Sequence, residues 1–230
     1  MEIAVIGTGM VGQTIAAKLE QLGHDVLMGT RDPAATAARL EPTAQGAPGI
    51  GTWLQAHPGV TLTTLVSAAA QGEVVFLATS GQGSVEAITA AGPDNLAGKL
   101  IIDISNPLDF SGGFPPTLSV CNTSSLGEQV QAAAPEAHVV KTLNTVNASL
   151  MVDPAQLAGG EHDMFLCGDD AAAKEQATGI LTEWFGWKYV HDLGDITNAR
   201  GTEQYLPLWV RMYGALGTPT FNVHVVRAPA

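Results

Sequence analysis

What this chain has little of is charge, and basic charge above all. Charged residues make up 14% of its 230 residues, ten Lys and Arg against 22 Asp and Glu, for a formal net charge of -12. Nucleic acid and anionic membrane are both held through clusters of basic side chains. Here the basic residues are scattered from Lys18 to Arg227 without a cluster, so neither partner is expected. Cysteine is nearly absent. Cys121 and Cys167 lie far apart, form no CxxC pair, and suit a reducing compartment in which both sit as small core residues. The histidines show no metal-ligand spacing, so no metal is expected. No apolar run approaches the ~18 residues of a membrane span. Met1 leads directly into a strand-like run rather than a targeting segment. The expectation is a soluble, untargeted, cytoplasmic protein.

What is present is a globular composition. Hydrophobic residues make up 46% of the chain, which excludes disorder. A domain of this length buries roughly 70% of its unfolded surface and needs no disulfide or metal to hold it. Short β-branched runs alternate with Ala-rich helical stretches, with no internal repeat. Glu2–Ile6 reads as a buried strand, and Met10–Leu22 as a helix with Ile15, Leu19 and Leu22 on one face. Asp25–Met28 is a second strand, followed by Pro33 where the next helix would begin. Val60–Thr63, Val74–Ala78, Leu100–Ile104 and His138–Leu143 continue as strands. Helical stretches near Thr64–Gln71, Gly83–Ala91 and Ser124–Ala134 separate them.

This alternation predicts a Rossmann-type, doubly wound α/β fold with a mainly parallel sheet and helices on both faces. Past Asn144 come a strand (Met164–Cys167), a helix (Ala171–Phe185), a strand (Lys188–Asp192) and a helical region from Ile196. This part either extends the same sheet or forms a small C-terminal helical lobe. The expected division is a dinucleotide-binding unit over residues 1–150 and a C-terminal extension over 151–230. Two irregular segments stand out: Glu41–Gly59, a surface excursion, and Asn106–Thr123, which leaves the carboxyl end of a strand and so makes a candidate substrate loop.

Gly7-Thr8-Gly9-Met10-Val11-Gly12 matches GxGxxG, directly after a strand and at the opening of a helix. Gly7 permits the tight turn, Gly9 lets the backbone approach a pyrophosphate, and Gly12 lets the helix pack on the sheet. The N-terminus of that helix offers orphan N–H donors to the anion. About twenty residues on, where an acid would hold the ribose of NAD, stand Thr30 and Arg31. A hydroxyl and a guanidinium suit a 2′-phosphate instead, so NADP is expected over NAD. Asp32, followed by Pro33, reads as a helix N-cap.

Polar tips close three later strands: Ala78-Thr79-Ser80-Gly81, Asp103-Ile104-Ser105-Asn106-Pro107, and Thr142-Leu143-Asn144-Thr145-Val146-Asn147. Singly each is a common turn residue; recurring at one sheet edge, they mark a candidate nicotinamide pocket. No Ser-His-Asp arrangement sits on a strand-to-helix elbow. His138 and Lys141 read as flanking or sheet-edge residues rather than as a proton donor. Transfer between two redox rings needs no such donor, and the residues fit that chemistry better. The aromatic stretch Ile196–Gly217 places Tyr205, Leu208, Trp209 and Met212 at helical spacing, with Pro207 expected to kink the helix. It reads as a core or dimer stripe, or as an apolar wall for a flat ring.

With these residues in hand, the chain resembles the NADPH-dependent reductases of coenzyme F-420 (F420), the 8-hydroxy-5-deazaflavin. The likeness runs through IAVIGTGMVGQTIA, MGTRDP, KTLNTVNASLMVDP and LGDITNARGTEQYLPLWVRMYGALGT, the last two being the more specific. The cytosolic oxidoreductase domain of transmembrane metalloreductases is a related group. The resemblance implies direct hydride transfer between NADP(H) and F420 with no obligatory protein acid or base. It also implies a homodimer through the C-terminal helices. By motif, Thr8, Thr30 and Arg31 would contact the 2′-phosphate, while Ala78, Thr79 and Asn144–Ala148 would lie beside the nicotinamide. Family members often carry a further basic residue shortly after the Thr-Arg pair, where this chain has Ala34 and Ala35. Arg39 reads as too far along the helix to replace it. The other acceptors compatible with these residues are a flavin, a quinone or a ferric chelate; a non-catalytic NADPH-binding redox sensor is the alternative of a different class.

Overall fold

The computed structural model describes residues 1–43 and 46–228. The first half follows the expected alternation: β1 (Glu2–Ile6), α1 (Met10–Gln21), β2 (Asp25–Thr30), α2 (Pro33–Ala37), α3 (Ile50–Ala56), β3 (Val60–Thr64), α4 (Leu65–Gln71), β4 (Val74–Leu77), α5 (Gly81–Ala91), α6 (Pro93–Leu96) and β5 (Leu100–Asp103). A short antiparallel ribbon, β6 (Leu108–Asp109) with β7 (Thr117–Leu118), then precedes α7 (Leu126–Ala133), β8 (His138–Thr142) and α8 (Ala148–Val152). The chain ends with β9 (Asp163–Gly168), α9 (Ala171–Gly179), β10 (Tyr189–Asp192), α10 (Ala199–Gln204) and α11 (Leu206–Leu216).

Eight strands form one sheet in the order β10-β9-β8-β5-β4-β1-β2-β3. All neighbours are parallel except β8 and β9. The central strands are continuous apolar runs because both of their faces are covered. Ile3, Val5, Val74 and Phe76 face one core with α1, α3, α8 and α9. Ala4, Ile6, Val75 and Leu77 face the other with α4, α5, α6 and α7. This is the doubly wound architecture, and its strand order reverses between β1 and β4. The crevice outside the carboxyl ends of those two strands is where such a sheet admits a ligand.

After residue 150 the chain extends the same sheet through β9 and β10, with α9 between them, and then ends in the helices α10 and α11. The long helix expected over Ala171–Phe185 widens to a π turn at Ile180–Trp184. Glu41–Gly59 is less irregular than expected: it contains α3, whose Ile50 and Trp53 are buried in the core. Ala44 and Gln45 of that excursion lie outside the described residues. Pro207 does not kink a helix; it occupies the first turn of α11, where its missing N–H costs nothing, and α10 ends before it. Cys167 is buried as expected, but Cys121 is exposed.

Lys141 is the larger correction. It lies in mid-sheet with its side chain fully buried, not at an edge. Asp103 is its register partner on β5, and its Nζ donates to Asp103 Oδ2 at 2.9 Å and to the Ser105 carbonyl at 2.5 Å. Glu203 of α10, also buried, lies 2.9 Å away on the other side. Burial alone would lower the pKa of Lys141, but the two carboxylates outweigh it and hold the pKa above the ordinary lysine value. Glu203 is held in turn by the backbone N–H groups of Leu126 and Gly127 at the start of α7 (2.8 and 2.9 Å). Beside it, Arg200 grips Glu128 through two hydrogen bonds of 2.9 and 2.5 Å. One ionic cluster thus joins β5, β8, α7 and α10.

Removing one partner of a buried ion cluster strands the others without compensation. We expect Lys141→Met to lower stability by about 3–5 kcal/mol in urea unfolding. Replacing Asp103, Lys141 and Glu203 together with apolar residues should recover most of that loss.

Candidate active site

The three glycines of the first turn differ in what surrounds them. Gly7 has φ +128°, and a side chain there would lie 2.5 Å from the carbonyl oxygen of Ala78. The β1–α1 turn is therefore pressed against the tip of β4. A Cβ at Gly12 would come within 2.1 Å of the Gly7 carbonyl, so α1 packs directly on the turn that precedes it. Gly9 meets nothing within 4 Å. It opens onto the crevice, and as the N-cap of α1 it supplies no side-chain bond to the first turn. The N–H groups of that turn are left to face an anion.

Two hollows meet at the tip of β4. The first, about 340 Å³, is lined by Gly7, Thr8, Gly9, Thr30, Arg31, Thr79 and Ser80, with Glu86 opposite. Thr30 Oγ1 is oriented by Thr36 Oγ1 at 2.9 Å, and Asp32 caps α2 by accepting from the Ala35 N–H. Arg31 makes an exposed ion pair with Glu86 at 3.6 Å, which holds the guanidinium loosely. Arg39 corrects the reading from spacing. The chain turns back after α2, and Arg39 Nη2 donates to Thr8 Oγ1 at 2.9 Å. Two guanidiniums therefore flank the same turn.

The second hollow, about 960 Å³, is lined by Met10, Val11, Ala78, Thr79 and Ser80 and by Asn106 and Asn144–Ala148. Of the residues expected from the sequence to bind the cofactor, Gly12 alone lies behind these walls, and of the aromatic stretch Tyr205, Leu208 and Met212 do not reach the lining. Asn106 and Asn144 bind each other: each amide nitrogen donates to its partner, Asn106 to the Asn144 carbonyl at 2.8 Å and Asn144 to Asn106 Oδ1 at 2.9 Å. They clamp the tips of β5 and β8 together and form the floor. Leu143, buried with φ +62°, turns the end of β8 into that clamp. Thr79 Oγ1 pairs with Ser84 Oγ at 2.8 Å, and Asn147 caps α8 by accepting from the Leu150 N–H. Gly81, the last residue of the polar tip of β4, has a packing role that the sequence did not show: a side chain there would lie 2.0 Å from the Asn106 carbonyl, so α5 also rests on the floor.

The far wall comes from the end of the chain. Trp209 is stacked between Phe221 (ring centroids 5.2 Å apart) and Tyr213 (5.8 Å). Trp209 Nε1 and Thr145 Oγ1, both buried at the cleft, have no hydrogen-bond partner among the described residues. Leu208, by contrast, stands exposed on the outside of α11. Phe110 and Ser111, from the loop joining β6 to β7, complete the rim. Among the described residues lining this cleft there is no carboxylate, imidazole, ammonium or thiol; Tyr213 is its one ionisable side chain. Cys167 lies in the core, where burial pushes its thiol up to about 12. The cleft can thus enclose and orient a flat ring between aromatic and amide surfaces, with two spare donors for the ring's oxygens.

This geometry agrees with what the chain is similar to. Residues 2–107 match the model of a family described as NADP oxidoreductase, coenzyme F420-dependent. A crystal structure from Arthrobacter sp. FB24, provisionally named an F420-dependent NADP reductase, is 55% identical with a TM-score of 0.93, covering 99% of this chain and 100% of that one. The chain belongs to the coenzyme F420-dependent NADP oxidoreductase family. It is an oxidoreductase. More distantly, it is 25% identical over 213 residues to the rat metalloreductase STEAP3, covering 90% of this chain and 38% of that protein. The reductive aminase of Aspergillus terreus, solved with NADPH and ethyl levulinate, shares the fold at 16% identity and a TM-score of 0.61, over 94% of this chain and 62% of that one.

In this oxidoreductase the glycines separate folding from binding. Gly12→Ala forces a Cβ onto backbone and should lower the melting temperature of the free protein. Gly9→Ala has room and an ordinary φ of -81°, so it should melt as the unchanged protein does. It should nonetheless bind NADPH at least tenfold more weakly by calorimetry, because the methyl occupies the anion's approach.

Proposed function

We propose that this protein transfers a hydride between NADP(H) and F420. The observation that carries the proposal is the second cleft. It is continuous with the dinucleotide crevice, walled by stacked aromatics and paired amides, and lined at the described residues by no group suited to acid–base work except Tyr213. The residues fit NADP(H). Met10, Val11 and the open Gly9 would hold the pyrophosphate, and Thr8, Thr30, Arg31 and Arg39 the 2′-phosphate. Ala78, Thr79, Ser80, Asn106 and Asn144–Ala148 would bound the nicotinamide. When bound, that ring supplies the hydride, and the deazaflavin accepts it without a covalent partner from the protein.

The chain's own residues contribute enclosure and orientation. The Asn106–Asn144 clamp fixes a rigid floor, so that a ring above it has one height. Trp209, with Tyr213 and Phe221 behind it, excludes water that would otherwise compete for the reduced ring. The unpartnered Thr145 hydroxyl and Trp209 indole N–H would donate to ring oxygens, and binding would relieve the cost of leaving them unpaired. Exposed Leu208 and Leu216 on α11 support a homodimer through that helix. A cytoplasmic location remains our proposal; among the described residues, no helix is long and apolar enough to cross a membrane.

The direct test mixes the protein with NADPH and oxidised F420 and follows the deazaflavin absorbance. Reduction is expected; binding of NADPH without reduction would sink the proposal. Turnover of a ferric chelate instead would favour the kinship with metalloreductases. Arg31→Ala and Arg39→Ala should each weaken NADPH by about 1.5–3 kcal/mol, the worth of a hydrogen bond to a charged group, and leave NADH unaffected. Equal losses for NADH in calorimetry would remove both residues from the 2′-phosphate.

A further inference from the structure

Past α11 the chain has no regular structure, yet it is held at successive points. Gly217, with φ +68°, reverses its direction. The Pro219 carbonyl accepts from Asn147 Nδ2 at 2.6 Å, and Pro219 and Thr220 border the cleft. Phe221 is buried against Trp209. Beyond Phe221, the bonds converge on one residue. Asp163, 2% exposed at the start of β9, donates its N–H to the Val223 carbonyl at 3.0 Å. Its own carbonyl accepts from Asn222 Nδ2 at 2.8 Å. Its Oδ2 takes the Val225 N–H at 2.8 Å and His224 Nδ1 at 2.7 Å, while Oδ1 faces His191 Nε2 at 2.5 Å. Asn222 also reaches His162 Nδ1 at 2.9 Å. Nothing in the crevice chemistry requires a buried carboxylate here.

We propose that residues 218–226 form a strap across the acceptor side of the cleft and that Asp163 is its anchor, a positioning residue acting through Phe221 on Trp209. The strap fixes the distance between the aromatic wall and the Asn106–Asn144 floor. It therefore governs the fit of the acceptor ring while leaving the dinucleotide, held by β1, α1 and β2, untouched. This assignment rests on the reading of the cleft as the F420 site, but part of its test needs no acceptor.

An Asp163→Asn variant keeps the shape of the side chain and loses the charge that gathers three donors. A Phe221→Ala variant keeps the anchor and removes the prop behind Trp209. In the free protein, amide exchange at Val225 should quicken at least tenfold in Asp163→Asn and stay unchanged in Phe221→Ala. Exchange at Trp209 and Tyr213 should quicken in both. In turnover, both variants should raise the KM for oxidised F420 about tenfold, with kcat and NADPH affinity within twofold of the unaltered protein. Should Asp163→Asn fail to fold, His224→Gln removes one bond at a half-exposed position and should shift Val225 exchange and KM the same way, by less. Unchanged exchange at Trp209 in these variants, or a KM that does not move once the strap is loose, would overturn the proposal. If the unaltered protein does not reduce F420, the reading of the cleft fails, and the exchange measurements alone decide the strap.

Discussion

The ammonium of Lys141 sits where the load-carrying parts of the molecule meet. Asp103 opposite it belongs to the strand that ends in the cleft floor, and Glu203 belongs to the helix that leads to the cleft wall. The buried cation and the two buried carboxylates compensate one another for the solvent each has lost. The partial charge at the start of α7 takes up the remaining negative charge through the Leu126 and Gly127 N–H groups. An apolar cluster would fill the same space, but it would not fix the angle between β5, β8 and α10. Ser105, tied to Asp103 by 2.9 and 2.6 Å bonds and to Lys141 through its carbonyl, carries that precision to the next residue, Asn106.

From that joint the site is assembled by close approaches of backbone. Gly7 against Ala78, Gly12 against Gly7 and Gly81 against Asn106 are places where a single methyl would push two elements apart. They bring the ends of β1, β4 and β5 to one edge, and the amide clamp adds β8. The overall charge of -12 is no obstacle to phosphate, because attraction at short range depends on local groups. A helix N-terminus, Arg31 and Arg39 gather positive charge around the β1–α1 turn.

Periodicity made most of the strands and helices legible, because a parallel sheet covered on both faces leaves an unmistakable apolar signature. The glycine turn was legible for a similar reason: its chemistry is local, contained within six consecutive residues. What escaped was long-range. Arg39 looked too distant because helix spacing was assumed to continue past Ala37, whereas the chain turns back there. Lys141 looked like an edge residue because charge within a strand suggests exposure, and its two partners stand 38 and 62 residues away in the sequence. Asn106 and Asn144, expected from the sequence beside the cofactor, both line the second hollow, but as a mutual clamp in which each amide nitrogen donates to the other residue.

The sequence by itself therefore determined the class of fold, the tight glycine turn and the sheet edge at which the polar strand tips gather. Each of these follows from residue type at short spacing, where backbone geometry leaves few choices. Only the tertiary structure decided what walls the second hollow: that the last described residues return to Asp163, that Phe221 backs Trp209, and that a buried ionic cluster joins the strand of the floor to the helix leading to the wall. Those contacts join segments far apart along the chain, and packing, not local preference, selects them.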